Sequence, residues 1–96
     1  MLRPIFFTIA TAAISLSVQA EQVTRSMPAC ASEELLDELI SYSTKNDYDG
    51  MRQLFTSGKC IRLTQGESVS VIDAGFMVTT IRYKGQKLYT PAEAVR

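Results

Sequence analysis

Residues 60–71 read Cys60-Ile61-Arg62-Leu63-Thr64-Gln65-Gly66-Glu67-Ser68-Val69-Ser70-Val71, and their alternation decides the fold class. Ile61 and Leu63 alternate with Arg62 and Thr64, Gln65-Gly66 turns the chain, and Val69 and Val71 then alternate with Ser68 and Ser70. A period of two belongs to strands with one buried face. Asp73-Ala74-Gly75 turns the chain again, and Phe76 to Tyr83 reads as the longest strand, rich in β-branched and aromatic residues. Its parity is mixed, since Phe76 and Val78 share a side with Arg82 while Ile81 takes the other. A bulge near Thr79-Thr80, or burial on both sides at the start, reconciles the two. Lys84-Gly85-Gln86 closes a tight hairpin into Lys87-Leu88-Tyr89. Thr90-Pro91-Ala92-Glu93 has the form of a capping box with proline at the first helical position. A single helical turn is therefore predicted at the end, with Val95 returned to the core.

Upstream of Cys60 the period is helical. Ser32 is a good N-cap, with Glu33 and Glu34 in the first turn, where a helix end is positive. Leu35, Leu36, Leu39 and Ile40 form one apolar stripe through about Ser43, with Asp37 and Glu38 on the other side. A second helix is expected from Asn46 or Asp47, burying Tyr48, Met51, Leu54 and Phe55 and ending at Gly58. So short a loop between them implies an antiparallel hairpin.

The start of the chain reads as a cleavable signal peptide. Met1-Leu2-Arg3-Pro4 is a short basic opening, Ile5 to Leu16 is apolar apart from the small hydroxyl residues Thr8, Thr11 and Ser15, and Ser17-Val18-Gln19-Ala20 supplies small residues for cleavage after Ala20. A retained anchor is the competing reading, but about a dozen apolar residues fall short of the ~20 that span a bilayer. Glu21 to Ala29 lacks a periodic pattern and holds Pro28, so it reads as a linker. Cleavage leaves 76 residues, a size at which a core alone gives a thin stability margin. Cys30 and Cys60 are the two cysteines of the chain, and in an oxidising compartment they pair. The bridge closes a loop of about thirty residues and contributes ~3.5 kcal/mol by the chain-entropy estimate. A faint lipobox, Met27-Pro28-Ala29-Cys30, offers lipid attachment as an alternative that would strand Cys60.

Charge balances over the chain but not along it. Glu21 to Gly58 carries seven acids and three bases, and Lys59 to Arg96 carries six bases and three acids. Such fields either steer an association or attract each other within one domain.

Residues 60–96 resemble the bacterial Src-homology-3-type (SH3-like) barrel. The matching pieces are Gly66-Glu67-Ser68-Val69-Ser70-Val71 and Gly85 before Leu88-Tyr89-Thr90-Pro91-Ala92-Glu93-Ala94-Val95. With the helical hairpin leading in through Gly58-Lys59-Cys60, the chain is also similar to small uncharacterised exported bacterial proteins. The expected fold class is α+β, an N-terminal two-helix hairpin packed on a small antiparallel SH3-like β-barrel or sheet that ends in a short capped helical turn. The expected segments are a signal peptide over 1–20, a linker over 21–29, a helical hairpin over 30–59 and the β domain over 60–96, which forms one structural unit with the helices.

The resemblance implies binding, often to cell-wall material or peptides. Peptide-binding members use a tryptophan and several tyrosines along a groove, and this sequence has no tryptophan. Arg82, Tyr83, Lys84, Lys87 and Tyr89 are the candidate ligand-binding residues, because tyrosines give rigid apolar area and cations give steering. The chain has no histidine, which removes the commonest general base and metal ligand. Bridged cysteines are neither nucleophiles nor thiolate ligands, no Ser-x-x-Lys occurs after residue 20, and no glycine-rich phosphate loop appears. The expectation is a non-enzymatic binding or adaptor domain, periplasmic or secreted, with no cofactor, no metal, no nucleic-acid partner and no membrane span after cleavage. Its partner is expected to be an envelope protein or a cell-wall glycan. The alternative is an inhibitor or immunity protein for an envelope enzyme.

Overall fold

The computed structural model describes residues 19–96; the expected signal peptide lies outside the described residues except for Gln19 and Ala20. The described chain is α+β. In chain order its elements are β1 Gln19–Gln22, β2 Met27–Cys30, α1 Glu33–Thr44, α2 Tyr48–Thr56, β3 Cys60–Leu63, β4 Ser68–Ala74, β5 Val78–Tyr83 and β6 Gln86–Pro91, followed by a 3-10 turn over Ala92–Val95. Among the described residues no helix is long and apolar enough to cross a membrane.

All six strands join one antiparallel sheet in the order β1-β4-β5-β6-β2-β3. Residues 21–29, expected as a linker, instead supply most of two strands, and Val23 between them is buried. A single register runs through both: Gln19 faces Val71, Gln22 faces Ser68, Met27 faces Leu63 and Cys30 faces Cys60. At the bend between them, Val23 N–H donates to the Glu67 carbonyl at 2.8 Å and Gly66 N–H donates to the Val23 carbonyl at 2.8 Å. The segment from 19 to 30 therefore lies along the segment from 60 to 71 as one bent ribbon, with the helical hairpin inserted at its far end.

The helices form for local reasons. Ser32 Oγ accepts from Leu35 N–H at 3.1 Å to cap α1, and Asp47 Oδ1 accepts from Gly50 N–H at 3.0 Å to cap α2. Gly58, at φ +80°, takes the left-handed conformation that ends α2. Leu36, Leu39 and Leu54 are buried, Leu35, Met51 and Phe55 are half-buried, and Ile40 and Tyr48 face solvent. The stripe is thus narrower than expected: the sheet face beneath two short helices has room for about one row of side chains from each.

Cys30 and Cys60 are bonded, with Cα atoms 4.0 Å apart. The next pair outward, Ala31 N–H to the Lys59 carbonyl, is hydrogen-bonded at 2.9 Å. The cysteines therefore occupy the adjacent non-hydrogen-bonded position, where side chains come closest. The bridge stands at the base of the helical hairpin.

Two apolar clusters hold the domain together. Val23, Ala29, Leu63, Val69, Ile81 and Leu88 pack on one face of the sheet. Cys30, Leu36, Leu39, Leu54 and Cys60 pack between the helices and the other face. Covering on both faces explains the mixed parity of β5, where Thr79, Thr80 and Ile81 are buried in succession. The irregularity lies in the partner strand, between Val71 and Asp73, not at Thr79-Thr80. β5 begins at Val78, so Phe76 and Met77, expected within the strand, occupy the turn before it and are exposed.

The closing turn also differs from expectation. Pro91 takes the cap position, and no side chain caps the turn. Thr90 Oγ1 instead donates to the Pro28 carbonyl at 2.8 Å. Cys30 faces Tyr89 across β2 and β6, and extending that register places Pro28 opposite Pro91. Neither proline has an N–H, so the ladder cannot satisfy the Pro28 carbonyl, and the buried threonine hydroxyl does so instead.

Candidate functional site

The five candidate ligand-binding residues all lie on the β5–β6 hairpin, but they do not share a surface. Lys84 and Gly85 have φ of +50° and +82°, so the turn is a two-residue one of the primed type. Its register pairs Tyr83 with Gln86, Arg82 with Lys87 and Thr80 with Tyr89. Arg82, Lys87 and Tyr89 consequently project to the helix side of the sheet, and Tyr83 projects to the opposite side. Fixing the turn at two residues rather than three would have revealed this division from the sequence, because side chains alternate strictly from the turn outward.

On the helix side, Arg82 and Lys87 sit directly opposite each other, one position beyond the hydrogen-bonded pair at the turn. This is the narrow pair of the ladder, in which like charges repel most. Lys87 Nζ lies 5.9 Å from the centre of the Tyr89 ring, a favourable cation–aromatic distance. Among the described residues neither cation has a carboxylate within 4.0 Å; the ion pair found is Arg52 with Asp49 on α2. Tyr89 itself is half-buried against the helical cluster. Beside it a cleft of about 580 Å³ opens between the start of α1 and the sheet, lined by Glu33, Glu34, Ile72, Asp73, Lys87 and Tyr89 among others.

On the opposite side, Tyr83 is half-buried against the strand cluster, and its hydroxyl donates to Glu67 Oε2. Glu67 Oε1 accepts from Thr64 N–H at 2.7 Å. The Thr64 bond and then the Tyr83 bond hold the Glu67 carboxyl below its ordinary pKa against the opposing effect of desolvation, and the nearby Lys84 charge adds the smallest contribution. Lys84 Nζ stands 5.2 Å from the Tyr83 ring centre. The Glu67-Tyr83-Lys84 group ties the β3–β4 bend to the hairpin, a structural task that explains each member. In the sequence Glu67 stands out only for its place in the turn.

Two other surfaces lie away from the five candidate residues. Met27, Leu39, Ile40, Met51, Phe55 and Arg62 help to line an apolar groove of about 270 Å³, with the Arg62 guanidinium 5.5 Å from the Phe55 ring centre. Arg62 thus joins the helices and not the basic hairpin. At the β4–β5 turn, Phe76 is 83% exposed and Met77 71% exposed. Arg96 Nη2 donates to the Phe76 carbonyl at 2.8 Å, and Ala92 N–H donates to that of Met77 at 2.9 Å, which holds the turn in place.

Among the described residues no group of three histidine, cysteine or acidic side chains is gathered to hold a metal ion. The fold and these surfaces define a small disulfide-linked α+β domain. Compared with known protein families, curated proteins and solved structures, the chain matches none.

Proposed function

We propose that this protein is an exported, non-enzymatic binding or adaptor domain whose strands form an SH3-like barrel. The ribbon of residues 19–30 along 60–71 supports the barrel reading, because β1 and β3 at the sheet edges are chain continuations of β2 and β4. A sheet whose edge strands bend back in this way has the ingredients of a small barrel. The bond between Cys30 and Cys60 suits an oxidising compartment, periplasmic or extracellular.

One observation carries the binding reading: Arg82 and Lys87 place like charges directly opposite each other in a narrow pair beside Tyr89, a repulsion that no carboxylate within 4.0 Å offsets among the described residues. An anion bridging the two cations relieves that repulsion, and the tyrosine ring offers a sugar or side chain an apolar bed. An anionic cell-wall glycan or an acidic patch of an envelope protein supplies that chemistry. Retention of the domain on purified peptidoglycan and pull-down from an envelope extract test the proposal. The double variant Arg82→Ser, Lys87→Ser is expected to lose the partner, and added salt to weaken capture by wild type. Lys84→Ser, on the other face, is expected to keep it. Equal capture by the folded double variant would reduce the hairpin to scaffold.

The second reading, an inhibitor or immunity protein for an envelope enzyme, draws on Phe76 and Met77. An exposed aromatic–methionine tip held by two backbone bonds is a shape that enters an apolar pocket. It requires one stoichiometric protein partner that Phe76→Ser releases.

A further inference from the structure

Among the described residues, β1 covers the outer edge of β4, with Gln19 opposite Val71 and Ala20 opposite Ser70. The bond from Val23 N–H to the Glu67 carbonyl fixes which pairs are hydrogen-bonded. Antiparallel alternation then makes Glu21 with Val69, and Gln19 with Val71, bonded pairs. Cleavage after Ala20 would leave the Val69 bonds in place and remove those of Val71. β4 runs on to Ala74, bonded to β5 on its inner side. The processed chain would therefore present five residues, Ser70 to Ala74, with an outer edge free of any strand, about the length of an ordinary strand.

That edge has little to deter a second strand. It carries no lysine or proline, and what there is to deter pairing is one charge, Asp73, and the irregularity between Val71 and Asp73, where Ile72 is exposed. It also borders the 580 Å³ cleft, to which Ile72 and Asp73 contribute one wall and Glu33 and Glu34 the other. Alternate side chains of a strand laid along β4 would point to this face of the sheet. Three carboxylates against Lys87 make the cleft complementary to a cationic side chain.

We propose that the β4 edge of the processed chain is a docking site for an extended segment of another exported protein. This segment takes the place of Gln19 and Ala20 and directs a lysine or arginine toward Asp73, Glu33 and Glu34. Backbone bonds to Val71 supply affinity for any extended chain, and the cleft supplies the choice of residue. The inference rests on cleavage after Ala20; it uses the carboxylate wall of the cleft, whose other wall holds Lys87 and Tyr89.

The test compares the processed chain, recovered from the export compartment, with the full chain made without export and then oxidised to form the Cys30–Cys60 bond. The probes are the octapeptide Thr-Val-Thr-Lys-Val-Thr-Val-Thr and its counterpart with glutamate for lysine. Intact mass is expected to show a chain that begins at Glu21; one that keeps Gln19 and Ala20 overturns the proposal at its first step. The Val71 amide is expected to exchange its hydrogen about tenfold faster in the processed chain than in the full chain, and to be protected again by the lysine peptide. Unchanged protection overturns the proposal, as does recovery of protection without peptide through pairing of two copies. The lysine peptide is expected to bind about tenfold more tightly than the glutamate peptide, a ratio that Glu33→Gln with Glu34→Gln narrows. Equal binding of the two peptides overturns the assignment of the cleft. Arg82→Ser with Lys87→Ser is expected to leave the lysine peptide bound at least as tightly, so this proposal and the anion-binding face fail separately.

Discussion

The two faces of the sheet are held by different means. On the strand side, six aliphatic side chains from both halves of the chain are each at most 4% exposed, and no covalent link joins them. On the helix side, the buried cluster has a disulfide among its members and a half-wet rim that includes Leu35, Tyr42, Met51 and Phe55. The helices span 12 and 9 residues, at or below the ~12–15 at which an isolated helix is marginal in water. The contrast teaches that the sheet supports itself, whereas the hairpin depends on the sheet beneath it and the bridge at its base.

The strongest blow to that contrast is Ile81→Ala. It empties a fully buried site on the strand side and is expected to cost about 4 kcal/mol, most of the ~5 kcal/mol expected of so small a domain. Thermal or urea unfolding should show helices and strands lost together, because the hairpin has no independent support. Helical signal that outlasts the strands would reverse the dependence.

Replacing both cysteines with alanine is expected to cost about 3.5 kcal/mol. Its effect should be regional, with amide hydrogens of α1 and α2 losing protection before those of β5 and β6. Equal loss in both regions would mean that the bridge supports the whole domain and not the hairpin.

Thr90→Val keeps the shape of a buried side chain but leaves the Pro28 carbonyl without its donor. The expected cost is about 1.5 kcal/mol, read from the denaturant midpoint. A cost near zero would show that water or a shifted backbone reaches that carbonyl.

The smallest effect belongs to Glu67. Its folded pKa is depressed, so its contribution to stability is fully present above the unfolded value of about 4.3. That contribution is lost as pH falls through the lower folded value. Glu67→Gln should therefore be less stable than wild type at neutral pH, with the gap closing below about pH 4. A gap that stays constant with pH would assign the loss to packing and not to the carboxylate.

The pattern of agreement follows the range of the forces involved. The Ser32 cap of α1, the start of α2 to within a residue, the left-handed Gly58, the alternation of β3 and β4, and a tight hairpin around Gly85, though not its two-residue length, were legible because each is settled by neighbours a few residues away. The Cys30–Cys60 pair was legible because two cysteines allow one pairing. Residues 21–29 gave no such signal: Val23 and Ala29 are buried, but the bend between β1 and β2 breaks their alternation, and their partners lie some forty residues further on. Thr90 has the look of a cap in the sequence, but β2 brings the Pro28 carbonyl, with no ladder donor opposite, within reach of its hydroxyl. The basic hairpin was visible as a run of residues, but which of them share a surface depended on the sheet register, which placed Tyr83 with Glu67 and Tyr89 under the helices. Local propensity and capping act within one turn of chain and are written in consecutive residues. Strand pairing and the faces it creates depend on contacts between segments far apart in sequence, and only the tertiary structure decides those.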